Sequence, residues 1–496
     1  MLAERRSPAP PMPLGQLLDR PDESFANTMV AGLELDSRRV HPGDLFFAMP
    51  GDVHDGRQFI EQAVANGASA IVAEAPAAGF VDGLQVPLVE VPELRLEAGA
   101  LAARFYGYPS RNMHVVGVTG TNGKTTVTQI VGQLIRKLGQ PCGVIGTLGA
   151  TLEDDVIEAG NTTPDPLSLQ RQLALWLQQG VAAVSMEVSS HALVQGRVNG
   201  VEFTTAIFTN LSHDHLDYHG SMRAYAAAKM RLFAVEGLQH AVINADDDWA
   251  APIAAATADG SRTLTYSASG RAADVRVLDA RFHATGVRGS LHTPWGTGEF
   301  DSPLPGDFNL ANLAAAVCAL LLADEELLPV LAAVRGLSPV AGRMQQVPNS
   351  LGFQVIVDYA HTPHALEQVL RALRPHVDGE LVTVFGCGGD RDRDKRQVMG
   401  RVACELSDNV FVTSDNPRSE DPLAILEDVA AGLSGPHTLE PDRATAIAAA
   451  IASAGRGDCV LIAGKGHENY QLVEGRKLAF SDAAVALAAL QRRAQA

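Results

Sequence analysis

Short apolar runs alternate with helical stretches along most of this chain. The runs that have the pattern of buried strands cover residues 44–49, 70–73, 113–119, 182–188, 204–208, 381–385, 410–413 and 459–463. The stretches with a helical pattern cover residues 59–66, 309–322, 397–406 and 422–433. Parallel strands need a crossover connection, which is usually a helix. The alternation therefore predicts parallel, doubly wound α/β sheets.

Changes in the pattern of predicted strands, loops and helices along the chain indicate three domains. Residues 1–112 mix short strand runs with helical stretches, and residues 113–341 open with a strand, a Gly-rich loop and a helix from Lys124. A β-rich patch follows at 264–300, and the last three strand runs fall in residues 342–496. We predict a smaller N-terminal α/β domain, a central P-loop ATPase-type α/β domain and a C-terminal Rossmann-like α/β domain.

Composition and charge narrow the class of protein. The 496 residues exceed what one hydrophobic core organises, in keeping with several domains. Hydrophobic residues make up 46% of the chain and charged residues 19%, values typical of a globular protein. The net charge of −18 gives a surface that repels nucleic acid and anionic membranes. We expect neither as a partner.

The sequence also indicates a cytoplasmic location. The longest apolar run, residues 313–323, is too short to span a bilayer. The basic N-terminus lacks the apolar core of a secretory signal. The chain has five cysteines without CxxC spacing, which we expect to be reduced, mostly buried thiols: Cys142, Cys318, Cys387, Cys404 and Cys459.

A phosphate-binding loop is predicted at residues 119–126, T-G-T-N-G-K-T-T, between a strand and a helix. Its glycines let backbone N–H groups close around phosphates, Lys124 can reach the β/γ oxygens, and Thr125 can offer a hydroxyl to Mg²⁺. The pattern G-x-x-x-x-G-K-[ST] is not met, because Val118 stands where its first Gly would be. We predict a compact variant of the loop that binds ATP.

Acidic and histidine side chains follow two further strand runs. M-E-V-S-S-H ends at His191, and T-N-L-S-H-D-H-L-D-Y-H ends at His219. A carboxylate and a histidine at adjacent strand ends can hold a hard cation near a triphosphate. The second string is also similar to the H-x-H-x-D-H run of metallohydrolases, with one extra residue between Asp217 and His219, so a metallohydrolase stays an alternative. No G-x-S-x-G elbow surrounds Ser189 and Ser190, which excludes a serine nucleophile there.

Taken in order, these motifs resemble the ATP-dependent Mur ligases, which build the peptide stem of bacterial peptidoglycan. The likeness extends through Y-A-A-A-K-M-R-L-F (225–233), L-P-G-D-F-N-L-A-N (304–312), G-R-M (342–344) and D-Y-A-H-T-P (358–363). The resemblance implies an ATP site formed by Gly120, Thr121, Asn122, Gly123, Lys124, Thr125, Thr126, Asn309, Asn312, Arg343 and Asp358. Without it, Asn309 and Asn312 would be interpreted as cap and first-turn residues of a helix.

The resemblance also implies catalytic residues and a modified lysine. In the family, the lysine at the position of Lys229 reacts with CO₂ to give N6-carboxylysine. Its carbamate oxygens then bind Mg²⁺, of which we expect two ions, together with Thr125, Glu187 and His215. The implied catalytic set is Lys124, Glu187, His215 and Lys229. The family often has Arg at the position of His213, which leaves the role of His213 open.

Further strings in the first two segments resemble the sites by which one branch of the family holds UDP-N-acetylmuramoyl-L-alanyl-D-glutamate. These are L-D-S-R (35–38), G-D-V-H-D-G-R (51–57) and N-T-T-P (161–164). The implied contacts are Leu35, Ser37, Asp52, Val53, His54, Asn161, Thr162, Thr163, Ser189, Gln195 and Arg197. Asx and ST turns would explain Ser37 or Asn161 equally well.

Polar loops after the last three strands are expected to choose the incoming amino acid. D-N-P-R (415–418) resembles the family's recognition string for meso-diaminopimelate. This amino acid differs from lysine by one distal carboxylate, which a guanidinium fork can bind bidentately. The implied contacts are Arg391, Asp415, Asn416, Pro417, Arg418, Gly464 and Glu468, with Gly464 and Glu468 on the distal amine and Arg391 on a carboxylate.

The expected activity is an ATP-dependent amide-bond-forming ligase that adds meso-diaminopimelate to the UDP-dipeptide through an acyl phosphate. That reaction serves cell-wall biogenesis, and with it cell shape, division and the cell cycle. We expect a monomer whose partners are these two substrates and ATP. The alternatives are a sister ligase that adds lysine, another amino acid or glutamate on folate, the metallohydrolase, and a nucleotide-binding switch.

Overall fold

The computed structural model describes residues 7–51, 54–77, 79–80, 83–153, 155–157, 160–283 and 286–495. The chain forms two compact units. The first unit is Met1–Val275 with Asn312–Glu326, and the second is Arg276–Ala311 with Leu327–Ala496.

The N-terminal part of the first unit is built on a parallel sheet. Its helices and strands are β1 (Met12–Pro13), α1 (Leu14–Leu18), β2 (Met29–Val30), β3 (Gly32–Glu34), β4 (Asp44–Ala48), α2 (Ile60–Ala65), β5 (Ala70–Glu74), β6 (Leu88–Val91) and α3 (Leu94–Phe105). Strands β3, β4, β5 and β6 pair in that order, all parallel. Alternate side chains of β4 serve two cores, Leu45 and Phe47 on one face and Phe46 on the other, as the two-residue period of a strand requires.

The rest of the first unit contains the central sheet. Its elements are β7 (His114–Thr119), α4 (Lys124–Lys137), β8 (Cys142–Gly146), β9 (Gly149–Leu152), β10 (Asp155–Ile157), α5 (Pro166–Gln178), β11 (Ala183–Glu187), α6 (Ser190–Val194), β12 (Thr205–Phe208), α7 (Leu216–His219), α8 (Met222–Phe233), β13 (His240–Asn244), α9 (Ala250–Ala255) and β14 (Arg262–Ser267). The strand order is β10-β9-β8-β11-β7-β12-β13-β14. From β8 to β14 the strands are parallel, and β9 and β10 add an antiparallel edge.

The second unit contains an antiparallel meander and a second α/β sheet. Its elements, with α10 crossing the unit boundary, are β15 (Val275–His283), β16 (Gly286–Thr293), β17 (Gly296–Ser302), α10 (Asp307–Leu322), α11 (Leu327–Val334), β18 (Gln345–Gln346), β19 (Gln354–Asp358), α12 (Pro363–Leu373), β20 (Leu381–Phe385), α13 (Asp394–Leu406), β21 (Asn409–Val412), α14 (Pro422–Ala430), β22 (His437–Leu439), α15 (Arg443–Ser453), β23 (Cys459–Ala463), β24 (Tyr470–Val473), β25 (Arg476–Ala479) and α16 (Asp482–Gln495). The order β18-β19-β23-β20-β21-β22 is parallel except for β18.

The predicted parallel α/β class is confirmed for the interior of both large sheets, but the edges differ. Strands β9, β10 and β18 are antiparallel, and β15 to β17 form a hairpin-connected meander. Antiparallel strands need no helical crossover, so short turns suffice where the sheets reach solvent. The helix predicted at 59–66 is a 3-10 turn, Gly56–Phe59, followed by α2.

Candidate active site

Three parallel strands end together at the centre of the first unit. Strand β7 lies between β11 and β12, with Glu187 of β11 opposite Val118 and Phe208 of β12 opposite Thr119. This register places the phosphate loop, Glu187 and the loop after β12 at one edge of the sheet. Open α/β sheets bind their ligands at such carboxyl ends, where the strand order reverses.

Close packing explains the glycines of the phosphate loop. A Cβ on Gly120, whose φ is +153°, would lie 1.8 Å from the Thr209 hydroxyl oxygen. Gly123, with φ +83°, caps α4, and a Cβ there would lie 2.6 Å from the Asn312 amide oxygen. Only glycine fits these positions, so the loop backbone can close around a phosphate at the N-terminus of α4.

The loop after β12 holds the phosphate loop in shape. The Asn210 side chain accepts from Asn122 N (2.9 Å) and donates to Asn122 O (3.1 Å), and the Thr209 hydroxyl donates to the same carbonyl at 2.6 Å. Lys124 Nζ donates to the carbonyls of Gly120 and Thr121 at 2.9 and 2.8 Å. The cradle is therefore preorganised by the residues around it.

Lys229 is a buried lysine beside this loop. It lies on α8 with 1% of its surface exposed, donates to Gly120 O at 2.7 Å, and sits 4.3 Å from the centre of the Tyr225 ring. Burial, reinforced by the Lys124 cation, holds the pKa of Lys229 well below its ordinary value. Lys229 is therefore a buried lysine and not a solvated one, and its lowered pKa favours the neutral amine that a nucleophile requires.

Glu187, one of the predicted catalytic residues, is a buried carboxylate held by hydrogen bonds. It accepts from the backbone N–H of Thr147 at 2.8 Å and from the Thr147 hydroxyl at 3.2 Å. Gly146 gives it space, since a Cβ there would lie 2.2 Å from Glu187 Oε1. Thr147 belongs to no motif, and sequence reasoning missed it.

A cluster of histidine and tyrosine rings lies between α6, α7 and α8. The His191 ring centre is 4.1 Å from Tyr218, 4.9 Å from His215 and 5.5 Å from His219. His215 caps the short helix α7 with φ +52°, and His213 is exposed. Burial, with His215 and His219 beside it, lowers the pKa of His191 to about 4, so this imidazole is neutral at pH 7.

The predicted magnesium ligands lie at this edge of the sheet without forming a finished ion site. Thr125 is buried in the first turn of α4. Within the described ranges, no three His, Cys, Asp or Glu side chains are grouped so as to hold a metal ion. The roles of Thr125, Glu187, His215 and Lys229 stay predictions.

A pocket of about 520 Å³ in the first unit contains much of the predicted UDP-dipeptide site. It brings together five of the predicted contacts: Leu35, Ser37, His54, Gln195 and Arg197. Asp52 and Val53 lie outside the described residues. Arg95 and Gln62 also line the pocket and were missed by sequence reasoning, because no motif surrounds either one. Gln62 orients Ser37, whose hydroxyl donates to it at 2.7 Å.

Thr163 connects this pocket to the phosphate-loop edge. Its hydroxyl donates to the carbonyl of Glu187 at 3.0 Å and accepts from Ser189 N at 3.1 Å, while its own carbonyl accepts from Arg197 at 3.1 Å. The neighbouring Thr162 hydroxyl is 3.1 Å from that of Thr147. The string predicted to grip the dipeptide is thus bonded directly to the strand end that carries Glu187, although Asn161 is exposed.

In the second unit, the loops after β20, β21 and β23 meet. Arg418 has φ +55°, and its guanidinium donates to Gly389 O at 2.7 Å. Asn416 donates to Glu468 at 2.9 Å, and Pro417 packs so closely that a Cβ on Gly389 would lie 1.9 Å from its carbonyl. The structure therefore brings the D-N-P-R string together with Glu468. Arg391, on the loop after β20, is exposed.

The remaining predicted ATP contacts in the second unit are Asn309, Arg343 and Asp358. Asp358 ends β19 and accepts from Met344 N at 2.7 Å and Ala360 N at 2.8 Å, and its burial raises the pKa of the carboxyl group. The Arg343 guanidinium lies 4.7 Å from the Tyr359 ring centre. Helix α10 begins at Asp307, so the interpretation of Asn309 as its cap is wrong; its amide donates back to Pro305 O at 2.6 Å.

Comparisons with known proteins agree with this geometry. Three family models match the chain: Mur ligase family, catalytic domain, over 29–106; Mur ligase middle domain over 118–320; and Mur ligase, glutamate ligase domain, over 342–466. No helix in the described part of the chain is long and apolar enough to cross a membrane.

Named relatives cover almost the whole chain. A UDP-N-acetylmuramoyl-L-alanyl-D-glutamate–2,6-diaminopimelate ligase of Ectopseudomonas mendocina is 50% identical, covering 95% of this chain and 96% of its own. The protein of the same name from Pseudomonas aeruginosa is 49% identical over the same shares. A solved structure of a ligase with this name is 37% identical, with a TM-score of 0.73, over 97% of this chain and 100% of its own. The predicted three-domain α/β architecture and the resemblance are confirmed: the chain belongs to the Mur ligase family.

Proposed function

We propose that this chain is an ATP-dependent ligase that joins meso-2,6-diaminopimelate to UDP-N-acetylmuramoyl-L-alanyl-D-glutamate in peptidoglycan synthesis. The observation that carries the proposal is the Thr163 link, which bonds the wall of the 520 Å³ pocket to the strand end beside the phosphate loop. We expect a substrate bound in that pocket to direct its free end toward the phosphate loop. The names of relatives at half identity support the same reaction.

The chemistry is a transfer in two steps. An oxygen of the dipeptide carboxylate attacks the γ-phosphorus of ATP, and the bond from that phosphorus to the β-phosphate oxygen breaks. The products of this step are ADP and an acyl phosphate. The neutral amine of diaminopimelate then attacks the acyl carbon, loses a proton and expels phosphate. Lys124 and the N–H groups at the start of α4 neutralise charge on the phosphates, so catalysis is mostly positioning and electrostatic stabilisation.

Lys229 has the properties that carbamylation requires. Its amine is buried and its pKa is held well below the ordinary value, which favours the neutral form whose lone pair attacks the carbon of CO₂, with release of a proton. The product is an anionic carbamate with two oxygens. The Gly120 carbonyl and the Tyr225 ring hold the end of this side chain in place.

The donor set around the phosphate loop fits a hard cation. A carboxylate from Glu187, a hydroxyl from Thr125 and carbamate oxygens from Lys229 are oxygen ligands of the kind Mg²⁺ prefers, and His215 supplies a nitrogen. Bound there, Mg²⁺ would neutralise charge that develops on the phosphates. The Thr147 bonds hold Glu187 at the strand end.

Selection of the amino acid rests on the second unit. Arg418 is anchored through Gly389 O at 2.7 Å, and we infer that its planar guanidinium binds the distal carboxylate. With lysine, no carboxylate would pair with it. An unpaired charged partner costs about 1–3 kcal/mol, or roughly ten- to a hundred-fold in kcat/KM.

Three further predictions from the sequence are proposed together with this function. They are the domain division 1–112, 113–341 and 342–496, a monomeric state, and action in the cytoplasm.

The test is phosphate release measured with UDP-dipeptide, ATP and one amino acid at a time, with mass spectrometry of the product. We expect ADP, phosphate and the UDP-tripeptide only when all three substrates are present. Lysine should be at least about tenfold poorer than diaminopimelate. Equal turnover of lysine would contradict the selectivity, and product formed without ATP would favour the metallohydrolase.

A further inference from the structure

A fully buried lysine lies among the strand-end loops of the second unit, which we define as residues 386–391, 415–418 and 464–468. Lys465 is 0% exposed. Its Nζ donates to Glu468 Oε2 at 2.9 Å and to Asn416 Oδ1 at 3.1 Å, and lies 3.4 Å from Asp415 Oδ1. A buried ammonium with three oxygen partners is a costly feature to maintain, and one that the reaction described above does not use.

Lys465 fixes the orientation of the Asn416 amide. An ammonium group can only donate, so the atom that faces Lys465 must be the amide oxygen. The same oxygen accepts from Leu472 N at 2.9 Å, and the amide nitrogen is then directed at Glu468 Oε2, 2.9 Å away. Asn416 therefore has one orientation that satisfies all its neighbours.

Among the described residues, only one oxygen of the Glu468 carboxylate accepts hydrogen bonds. Lys465 and Asn416 both donate to Oε2, and among the described residues Oε1 has no partner. The carboxylate is thus held through one oxygen, and the other is left available to a hydrogen-bond donor. An amine is the complementary group.

The charges of the strand-end loops balance. The loops contain three acidic side chains, Asp390, Asp415 and Glu468, and three basic ones, Arg391, Arg418 and Lys465, so their formal charges sum to zero. The distal end of diaminopimelate is also neutral, with one ammonium and one carboxylate, whereas the distal end of lysine carries a single positive charge. A neutral recognition site favours the zwitterionic end, and a site with one extra negative charge would favour the cationic end.

We propose that Lys465 is a positioning residue that sets the selectivity of these loops for a zwitterionic distal end over a cationic one. The proposal rests on the proposed function and deepens it. Lys465 acts in two ways: it orients Asn416 and Glu468, and it supplies the positive charge that keeps the site from attracting lysine.

The test compares Lys465→Met with wild type in the full-length enzyme, with saturating UDP-dipeptide. Lys477→Met is the matched control, because both lysines contact the Tyr470 ring. The Nζ of Lys477 is 4.2 Å from the ring centre, and that of Lys465 is 5.5 Å from it. Lys477 is exposed on β25.

In Lys465→Met we expect the KM for diaminopimelate to rise about 10- to 100-fold, while the KM for ATP changes by less than about threefold. The kcat/KM ratio of diaminopimelate to lysine should fall about tenfold or more. The control should keep the wild-type ratio. A merely structural role would lower kcat/KM for both amino acids by the same factor, and that result would overturn the proposal.

Lys465→Gln covers the case in which the methionine variant does not fold. Glutamine keeps a hydrogen-bond donor and removes the charge, so a fall in the same ratio supports the proposal and an unchanged ratio refutes it. Wild-type enzyme that forms no amide product with either amino acid would refute the proposed function instead. Failure of the function and failure of this inference are thus seen in different samples.

Discussion

A single methyl group added at Gly146 should displace the Glu187 carboxylate. An alanine Cβ at this position would lie 2.2 Å from Glu187 Oε1, 2.8 Å from Cδ and 2.9 Å from Cγ. Ordinary carbon–oxygen contacts need about 3.2 Å or more, so the side chain must move by roughly 1 Å. The φ of Gly146 is not positive, and alanine is compatible with the backbone there.

The size of the effect follows from what that movement breaks. Glu187 would leave the Thr147 N–H and hydroxyl, at a cost of about 1–3 kcal/mol in the free energy of unfolding. A catalytic group misplaced by about 1 Å lowers the rate by roughly a hundred-fold. We therefore expect a Gly146→Ala enzyme that is folded, about 1–3 kcal/mol less stable, and about 10²-fold slower in kcat.

The assay is steady-state ligase turnover over a series of Mg²⁺ concentrations, with the melting temperature measured on the same samples. Gly435→Ala is the control, because its nearest neighbour, Cys404 Sγ, would be at an ordinary 3.9 Å. The altered enzyme should also need more Mg²⁺ for half-maximal rate. A folded Gly146→Ala enzyme with wild-type kcat and wild-type Mg²⁺ dependence would show that the carboxylate position is not important for catalysis.

Four further outcomes are expected. Lys229→Ala should lower kcat about 10²- to 10³-fold, with partial rescue by a small carboxylate such as acetate; full activity would exclude a carbamate role. Arg418→Lys should raise the KM for diaminopimelate about 10- to 100-fold and leave that for ATP unchanged, whereas equal rises would refute selective recognition. Iodoacetamide at pH 8 should label the half-buried Cys404 before Cys387, because burial raises the pKa of the Cys387 thiol to about 12. Peptide mass spectrometry would follow the labelling, and early labelling of Cys387 would count against the structure. Burial lowers the pKa of His114 to about 4, so between pH 6.5 and 4 the unfolded chain binds more protons than the folded one. As the pH is lowered through this range, this residue should reduce the free energy of unfolding, measured by urea titration, by up to ~1.4 kcal/mol per pH unit. His114→Gln should lose this contribution.

The features that sequence predicted best are local ones. The phosphate loop, the Glu187 strand end and the order of strands and helices each depend on a few adjacent residues with a fixed pattern. Strand β7 accordingly has nearly the predicted bounds, and helix α4 begins at the predicted residue, Lys124. The position of Lys229 was predicted only through the family resemblance, since its burial depends on residues more than 100 positions away.

The features that sequence missed depend on contacts between distant segments. Thr147 meets Glu187 across 40 positions, and Lys465 meets Asp415 across 50. The same holds for Arg443, a fully buried cation that pairs with Asp482 at 2.7 Å. Nothing in the sequence around these residues sets them apart from solvated threonines, lysines and arginines, which are far more common.

Labelled substrate tests the acyl-phosphate route, because this route passes one carboxylate oxygen from the dipeptide to phosphate. The UDP-dipeptide is prepared with ¹⁸O in its acceptor carboxylate and converted with ATP and diaminopimelate, and the released phosphate is analysed by mass spectrometry. We expect one ¹⁸O atom in each phosphate released with the amide product. Phosphate free of label, alongside normal amide product, would contradict activation through an acyl phosphate.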